Sequence, residues 1–139
     1  MILHDKRVCV LSANAAFRQV LRERLASLGV ADANISDAAS PAEALTILRQ
    51  QPADSVLLTS YQSQGTGVSR ASTPDLLFEV KHEWPKLPCI VLAGPSRRIA
   101  EGYKRTVGEA ALVVPMPGIA GVGDYRWDEF ATDVAAMAV

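Results

Sequence analysis

Residues 8–29 read VCVLSANAAFRQVLRERLASLG, and this stretch decides the fold. It opens with four apolar residues, Val8 to Leu11, a run that is typical of a strand buried on both faces of a parallel sheet. An amphipathic helical pattern follows from Ala15 to Leu28, and Gly29 is well placed to end the helix. Its polar residues are predicted to face away from the sheet, and they include Arg18, Arg22 and Glu23. The stretch therefore predicts one β-α unit.

The same alternation recurs along the rest of the chain. Apolar runs predict further strands at residues 34–38, 55–58, 89–92 and 110–114. Helices are predicted from Ser40 as N-cap, with Pro41 in the first turn and Glu43 at the capping-box position, and at residues 74–84, 97–107 and 124–137. Because such alternation gives parallel strands joined by right-handed crossovers, residues 1–139 are expected to form one α/β domain. The expected architecture is a doubly wound five-stranded parallel sheet, the flavodoxin-like (βα)5 fold.

Composition and charge exclude several classes of partner. The 139 residues are 49% hydrophobic and carry a formal net charge of −1, so no overall field attracts nucleic acid or an anionic membrane. No run reaches the roughly 18 apolar residues of a membrane helix. Cys9 and Cys89 each lie inside an apolar run, which predicts buried, reduced thiols. We therefore expect a cytoplasmic domain that binds neither membrane nor nucleic acid directly, and its apolar tail at residues 135–139 is compatible with the N-terminal part of a longer protein.

Two segments resemble the receiver domain of bacterial response regulators, the CheY-like domain. Residues 8–14, VCVLSAN, resemble the family signature of four apolar residues, two aspartates and a polar residue. The acidic pair falls on Ser12 and Ala13, and the polar residue on Asn14. Residues 52–59, PADSVLLT, resemble the third-strand signature that ends on the phosphoacceptor aspartate, and Thr59 holds that position. The resemblance implies a phosphorylation pocket without its carboxylates.

Two later segments extend the resemblance to roughly the whole chain. Residues 87–93, LPCIVLA, resemble the strand that closes on a switch threonine or serine, and Ala93 stands at that position. Residues 108–115, GEAALVVP, resemble the segment that carries a switch aromatic and a lysine-proline pair. Ala111 and Val114 replace the aromatic residue and the lysine, whereas Pro115 matches the family. The resemblance implies a receiver fold in which the residues of the phosphorylation chemistry are replaced.

These replacements remove the chemistry of phosphorylation. Magnesium usually takes at least one carboxylate ligand, and Ser12, Ala13 and Thr59 provide none. Phosphoryl transfer needs a carboxylate nucleophile here, and cations that hold the developing negative charge. We expect Ser12 and Thr59 instead to hydrogen-bond nearby backbone groups. No cofactor, no metal and no enzymatic activity is expected.

The leading hypothesis for function is a phosphorylation-independent pseudo-receiver. Such a domain is a non-enzymatic module for protein interaction or dimerisation in bacterial signal transduction or transcriptional regulation. The hypothesis is based on coordinated loss, since the switch positions are replaced while the strand cores and helix caps are intact. One alternative is a small-molecule-binding regulatory domain that uses the vacated pocket beside Ser12, Thr59 and Ala93. Another is a flavodoxin-like enzyme, although the turn at residues 12–15 has no glycine to cradle a phosphate.

Two of the predicted helices carry opposite charges on their outer sides. Helical spacing gathers basic residues on the fourth helix and acidic residues on the fifth. The candidate interaction face consists of Arg97, Arg98, Lys104, Arg105, Asp124, Asp128 and Asp133. A two-fold axis can set the basic helix of one copy against the acidic helix of another, so a homodimer or a different protein partner is expected there. The polar residues 62–73 are expected to form a mobile loop, because they are too many for an ordinary connection.

Overall fold

The alternating pattern of the sequence is reproduced in the structure. The computed structural model describes residues 6–50, 54–61, 72–93, 97–108, 111–116 and 126–137. Its strands are β1 (Arg7–Leu11), β2 (Ile35–Ala38), β3 (Ser55–Ser60), β4 (Cys89–Leu92) and β5 (Leu112–Val114). Its helices are α1 (Ala15–Ser27), α2 (Pro41–Gln50), α3 (Thr73–Glu83), α4 (Arg97–Val107) and α5 (Trp127–Met137). Each predicted strand and helix is therefore present.

All strand pairs are parallel, and the strand order is β2-β1-β3-β4-β5. This is the order of a flavodoxin-like doubly wound sheet, which confirms the predicted fold class. Leu11 pairs with Thr59 and with Ala38, and Ser60 pairs with Leu92. The carboxyl ends of the central strands therefore lie side by side. In folds of this kind, that edge is where sites are built.

Alternate residues of each strand enter two separate cores. On one face of the sheet, Leu58 packs with Leu21 of α1 and Phe130 of α5. On the other face, Leu57 packs with Leu48 of α2 and Leu77 of α3. Neighbouring residues such as these two leucines point to opposite faces because the side-chain period of a strand is two. Both faces are covered, which is why the strands read as continuous apolar runs.

The start of α3 differs from the prediction. The helix begins at Thr73 rather than Pro74, and Ser72 is its N-cap. Both residues are buried and form the start of a helix, so the predicted loop at residues 62–73 is wrong for its last two residues. The physical reason is a capping box, in which the side chains of Ser72 and Asp75 each accept a hydrogen bond from the other's backbone N–H. Residues 62–71, to which the rest of the mobility prediction applies, lie outside the described residues.

Three other boundaries move by two or three residues. Strand β3 continues past Leu58 because Thr59 and Ser60 still pair with β4. Strand β5 begins at Leu112 rather than Ala110, and α5 begins at Trp127. Arg126 stands outside α5 and accepts the first helical hydrogen bond from Phe130, so it occupies the capping position. Within the described ranges, no helix has the length and apolar character needed to cross a membrane.

Candidate functional site

A small cleft lies where β1 and β3 end and α2 and α3 begin. Its walls come from Leu11, Ser12, Ala13, Ala39, Pro41, Thr59, Ser60, Thr73 and Leu76. Four of these residues carry hydroxyl groups, and none of them has an ionisable side chain. The enclosed volume is about 10 Å³, which is room for roughly one water molecule. As formed by these residues, the cleft is uncharged, lined by both aliphatic and hydroxyl groups, and nearly filled.

Ser12 and Asn14 are used to begin helix α1. The Ser12 Oγ accepts a hydrogen bond from the Asn14 backbone N–H at 3.1 Å. The Asn14 Oδ1 in turn accepts one from the Phe17 N–H at 3.1 Å, as an N-cap does. This local bonding agrees with the expectation for a strand-end serine. Ser12 and Asn14 are therefore part of the backbone turn that leads out of the sheet.

Thr59 is fully buried and is occupied in the same way. Its Oγ1 donates a hydrogen bond to the Ser60 carbonyl at 2.9 Å, and the Thr73 Oγ1 donates to that carbonyl at 3.3 Å. The first residue of α3 therefore closes the cleft over the end of β3. A hydroxyl that donates to a carbonyl has no general base as its acceptor, so Thr59 is not activated as a nucleophile.

Arg18 brings positive charge to the edge of this cleft. Its guanidinium donates a hydrogen bond to the Ser12 carbonyl, and its Nε lies 3.8 Å from Asp37 Oδ2. Arg22 binds the same aspartate at 3.1 Å and binds Asp32 at 2.6 Å. The prediction that Arg18 and Arg22 simply face away is wrong, because edge strand β2 places Asp37 beside them. Only 16% of the Arg18 side chain is exposed.

Magnesium, the metal implied by the resemblance to receiver domains, does not fit this arrangement. The described walls of the cleft offer hydroxyl oxygens but no carboxylate, and two charged groups bond to wall backbone: the Arg18 guanidinium at the Ser12 carbonyl and the Glu43 carboxylate at the Ala39 N–H. Hard divalent cations bind oxygen ligands that include carboxylates in most protein sites. Among the described residues, no cluster of histidine, cysteine, aspartate and glutamate could hold a metal ion.

The other predicted pocket residues lie away from the cleft. Ala93 is buried, and its N–H donates to the Val114 carbonyl at 2.8 Å. Val114 packs into the core between the sheet and helices α1 and α5, and Pro115 is buried after it. Ala111 is half-buried just before β5. The structure thus brings Ser12, Ala13 and Thr59 together at the cleft. It is not lined by Ala93, Ala111, Val114 or Pro115.

Two hydroxyl-bearing wall residues, Ser60 and Thr73, are absent from the predicted pocket. Ser60 directly follows Thr59, so its hydroxyl could have been placed at the same strand end. Thr73 could not have been placed, because a long segment separates it from β3 and no sequence pattern shows where the chain returns. The cleft is therefore closed by a long-range contact.

The predicted interaction face is only partly described. Arg98, Lys104 and Arg105 are exposed on α4. On α5, Asp128 is exposed and Asp133 is half-buried. The side chain of Arg97 and all of Asp124 lie outside the described residues.

Structural comparison finds receiver domains. The response regulator receiver protein from Sinorhizobium medicae WSM419 matches with a TM-score of 0.71 at 12% identity, covering 98% of this chain and 96% of that chain. The Vibrio cholerae chemotaxis protein CheY4 matches with a TM-score of 0.68 at 14% identity, covering 95% and 98%. The receiver domain of NtrX from Brucella abortus matches with a TM-score of 0.66 at 19% identity, covering 94% and 96%. No protein-family model and no curated protein matches the sequence. The chain therefore has the CheY-like receiver fold.

Proposed function

We propose that this chain is a pseudo-receiver, a protein-interaction module of bacterial signal transduction or transcriptional regulation that acts without phosphorylation. The observation that carries the proposal is the chemistry of the cleft between β1 and β3. Its walls present hydroxyl, methyl and aliphatic groups with no carboxylate, on a fold whose strands and helices are complete. A signalling role is supported by the receiver domains that share this fold.

The chemistry of the cleft residues supports phosphorylation independence. An aspartyl phosphate needs an aspartate, and Thr59 is a buried hydroxyl already bonded to the Ser60 carbonyl. A divalent cation at this position would meet the Arg18 guanidinium at the Ser12 carbonyl and no carboxylate to bind. Val114, at the position of the lysine, is a buried apolar residue that supplies no cation. Among the described residues, the cleft therefore has no activated nucleophile and no metal site, and the Arg18 guanidinium at its edge is already bonded to the Ser12 carbonyl and paired with Asp37.

Helix α4 supplies the proposed contact surface. It packs beside β5, the last strand of the sheet order, and its basic residues Arg98, Lys104 and Arg105 are exposed. Helix α5 lies on the opposite face of the sheet and exposes Asp128. A two-fold axis beside β5 lets the basic side of α4 in one copy meet the acidic side of α5 in the other, and each such contact then occurs twice. The proposed partner is thus a second copy, with another acidic protein surface as the alternative occupant.

Sedimentation velocity of the full chain tests this proposal. The chain should form a dimer that weakens as salt is raised, since exposed charges are screened beyond about 8 to 10 Å. Arg98→Glu combined with Arg105→Glu should raise the dimer dissociation constant at least about tenfold, because repulsion replaces attraction at contacts made twice. Lys86→Glu, a charge reversal at an exposed lysine before β4, is the matched control and should leave the constant unchanged. Acetyl phosphate should have no effect on any of these proteins.

Two outcomes of that experiment would overturn the dimer assignment. One is a wild-type chain that stays monomeric at every concentration and salt. The other is a dimer that tolerates the double charge reversal as well as it tolerates Lys86→Glu. A dimer that forms only with acetyl phosphate would contradict phosphorylation independence itself.

The cleft gives less support to a small-molecule-binding domain. Ligand pockets in proteins usually have volumes of about 300 to 1,000 Å³. The space beside Ser12 and Thr59 is about 10 Å³, far below that range, and Thr73 of α3 is bonded across it to the end of β3. The described cleft also contains no acid or base for an enzymatic reaction, which supports a regulatory rather than catalytic role.

A further inference from the structure

Among the described side chains of helix α4, Tyr103 is the largest that packs against the core beside the sheet. Of its inward residues that the structure describes, Ala100 and Val107 are buried but small, and Tyr103 is half-buried. Gly102 stands in the middle of the helix and is exposed, and a Cβ added there would meet nothing within 4 Å. No close packing therefore requires this glycine, which weakens the helix relative to alanine. Tyr103 is therefore the largest described side chain through which α4 contacts the rest of the domain.

Tyr103 packs against the aromatic ring of Tyr61. The two ring centroids lie 4.3 Å apart, with the ring planes tilted by 40°. Tyr61 is the first residue after β3, and its backbone N–H donates to the Leu92 carbonyl of β4 at 2.9 Å. The ring on α4 thus rests on a residue whose own backbone extends the sheet. Both tyrosines pack against the core that contains Leu57 and Val91.

The Tyr61–Tyr103 pair also lies next to the cleft at the ends of β1 and β3. Tyr61 comes directly after Ser60 in the sequence, and both Thr59 and Ser60 form part of the cleft walls. On α4, Tyr103 is followed directly by the exposed Lys104 and Arg105. One ring contact therefore joins the end of β3 to the helix that carries the basic surface. Partial burial raises the pKa of Tyr61, and the nearby Tyr103 adds a smaller rise.

We infer that Tyr61 and Tyr103 form a latch that holds α4 on the sheet and ties the position of its basic surface to the cleft end of β3. The inference that the latch holds α4 does not depend on the proposed function, whereas the importance of the basic surface rests on it. The latch makes both tyrosines positioning residues: they act through the placement of α4. A latch built from side chains alone needs no phosphate to close.

Hydrogen exchange of the full chain, followed by mass spectrometry, tests the latch. Tyr61→Ala changes no residue of α4, yet it should speed exchange of α4 amides while leaving those of α1 unchanged, because loss of the contact favours local opening of α4. Tyr103→Ala should give the same pattern. In the double variant, the increase in the opening equilibrium of α4 should be smaller than the product of the two single increases. The difference should be a factor of about 2 to 12, which is the coupling expected for an aromatic pair. Gly102→Ala, which strengthens α4 without touching the pair, should slow α4 exchange in the Tyr61→Ala background.

Phe17→Ala is the matched control, because Phe17 is another half-buried aromatic residue but packs on the opposite face of the sheet. It should not accelerate α4 selectively. If an alanine variant fails to fold, Tyr61→Leu and Tyr103→Leu keep an apolar side chain and the same prediction applies. The latch is wrong if Tyr61→Ala leaves α4 exchange unchanged, or speeds α1 and α4 equally. The same exchange measurement in the Arg98→Glu, Arg105→Glu background separates the latch from the dimer. These two charge reversals should weaken the dimer, and the latch predicts that Tyr61→Ala still speeds α4 exchange in the resulting monomer.

Discussion

At the residue scale, the two cysteines are structural thiols. Cys9 and Cys89 are buried and free, as predicted. Both lie opposite Leu57 in the strand register, one on each side, so they are separated by two strand spacings, or roughly 10 Å. That separation exceeds the range of a disulfide. Burial, with a smaller contribution from Asp37, raises the pKa of Cys9 to about 12, and burial against the opposing effect of Lys81 raises that of Cys89 to about 11.

These raised pKa values predict a loss of stability at high pH. Above the ordinary thiol pKa of 9.0, the unfolded chain releases both protons while the folded chain keeps them, until pH approaches about 11. The unfolded state then binds fewer protons, so the free energy of unfolding should fall by about 1.4 kcal/mol per pH unit for each thiol in this window. Urea unfolding between pH 8 and 10.5 measures the slope. Cys89→Ala should make the fall shallower, and an identical slope in the variant would show that the thiol does not contribute.

At the element scale, α3 depends on a cap that also closes the cleft. The Asp75 N–H donates to Ser72 Oγ at 3.3 Å, the Ser72 N–H donates to Asp75 Oδ2 at 3.2 Å, and Thr73 reaches the end of β3. Ser72→Ala should therefore lower the free energy of unfolding by about 0.5 to 2 kcal/mol. Ser27→Ala, at an exposed serine in the last turn of α1, is the control and should have little effect. Equal stability of the Ser72 variant and wild type in urea would refute the role of the cap.

The contrast between α2 and α3 shows what sequence can predict about an element. The cap of α2 was readable, because Ser40 and Glu43 stand directly before an apolar helical pattern. In the structure the Ser40 Oγ accepts from the Glu43 N–H, and the Glu43 carboxylate accepts from the Ala39 N–H rather than from that of Ser40. The cap of α3 follows a long polar segment, so Ser72 and Thr73 read as its continuation. Local bonding is encoded locally, whereas the burial of Thr73 depends on the end of β3.

At the scale of the whole molecule, the fold was predictable and most of the cleft walls were not. Short apolar runs between helical patterns predict a parallel sheet, because only strands covered on both faces need continuous apolar sequence. The resemblance placed Ser12 and Thr59 at neighbouring strand ends, and Leu11 does pair with Thr59. Arg18 read as an outward residue, since nothing in α1 shows that Asp37 lies beside it. Contacts between elements distant in sequence thus required the structure.

The central claim is that this receiver fold neither binds magnesium nor accepts a phosphoryl group, and backbone amide NMR tests it most directly. The full chain is titrated with magnesium, then with beryllofluoride plus magnesium, beside a control with sodium chloride at equal ionic strength. We predict that the amides of Ser12, Thr59 and Val114 move no further than in the salt control, because the cleft between β1 and β3 has no carboxylate among its walls. Saturable shifts centred on these three residues would contradict the account.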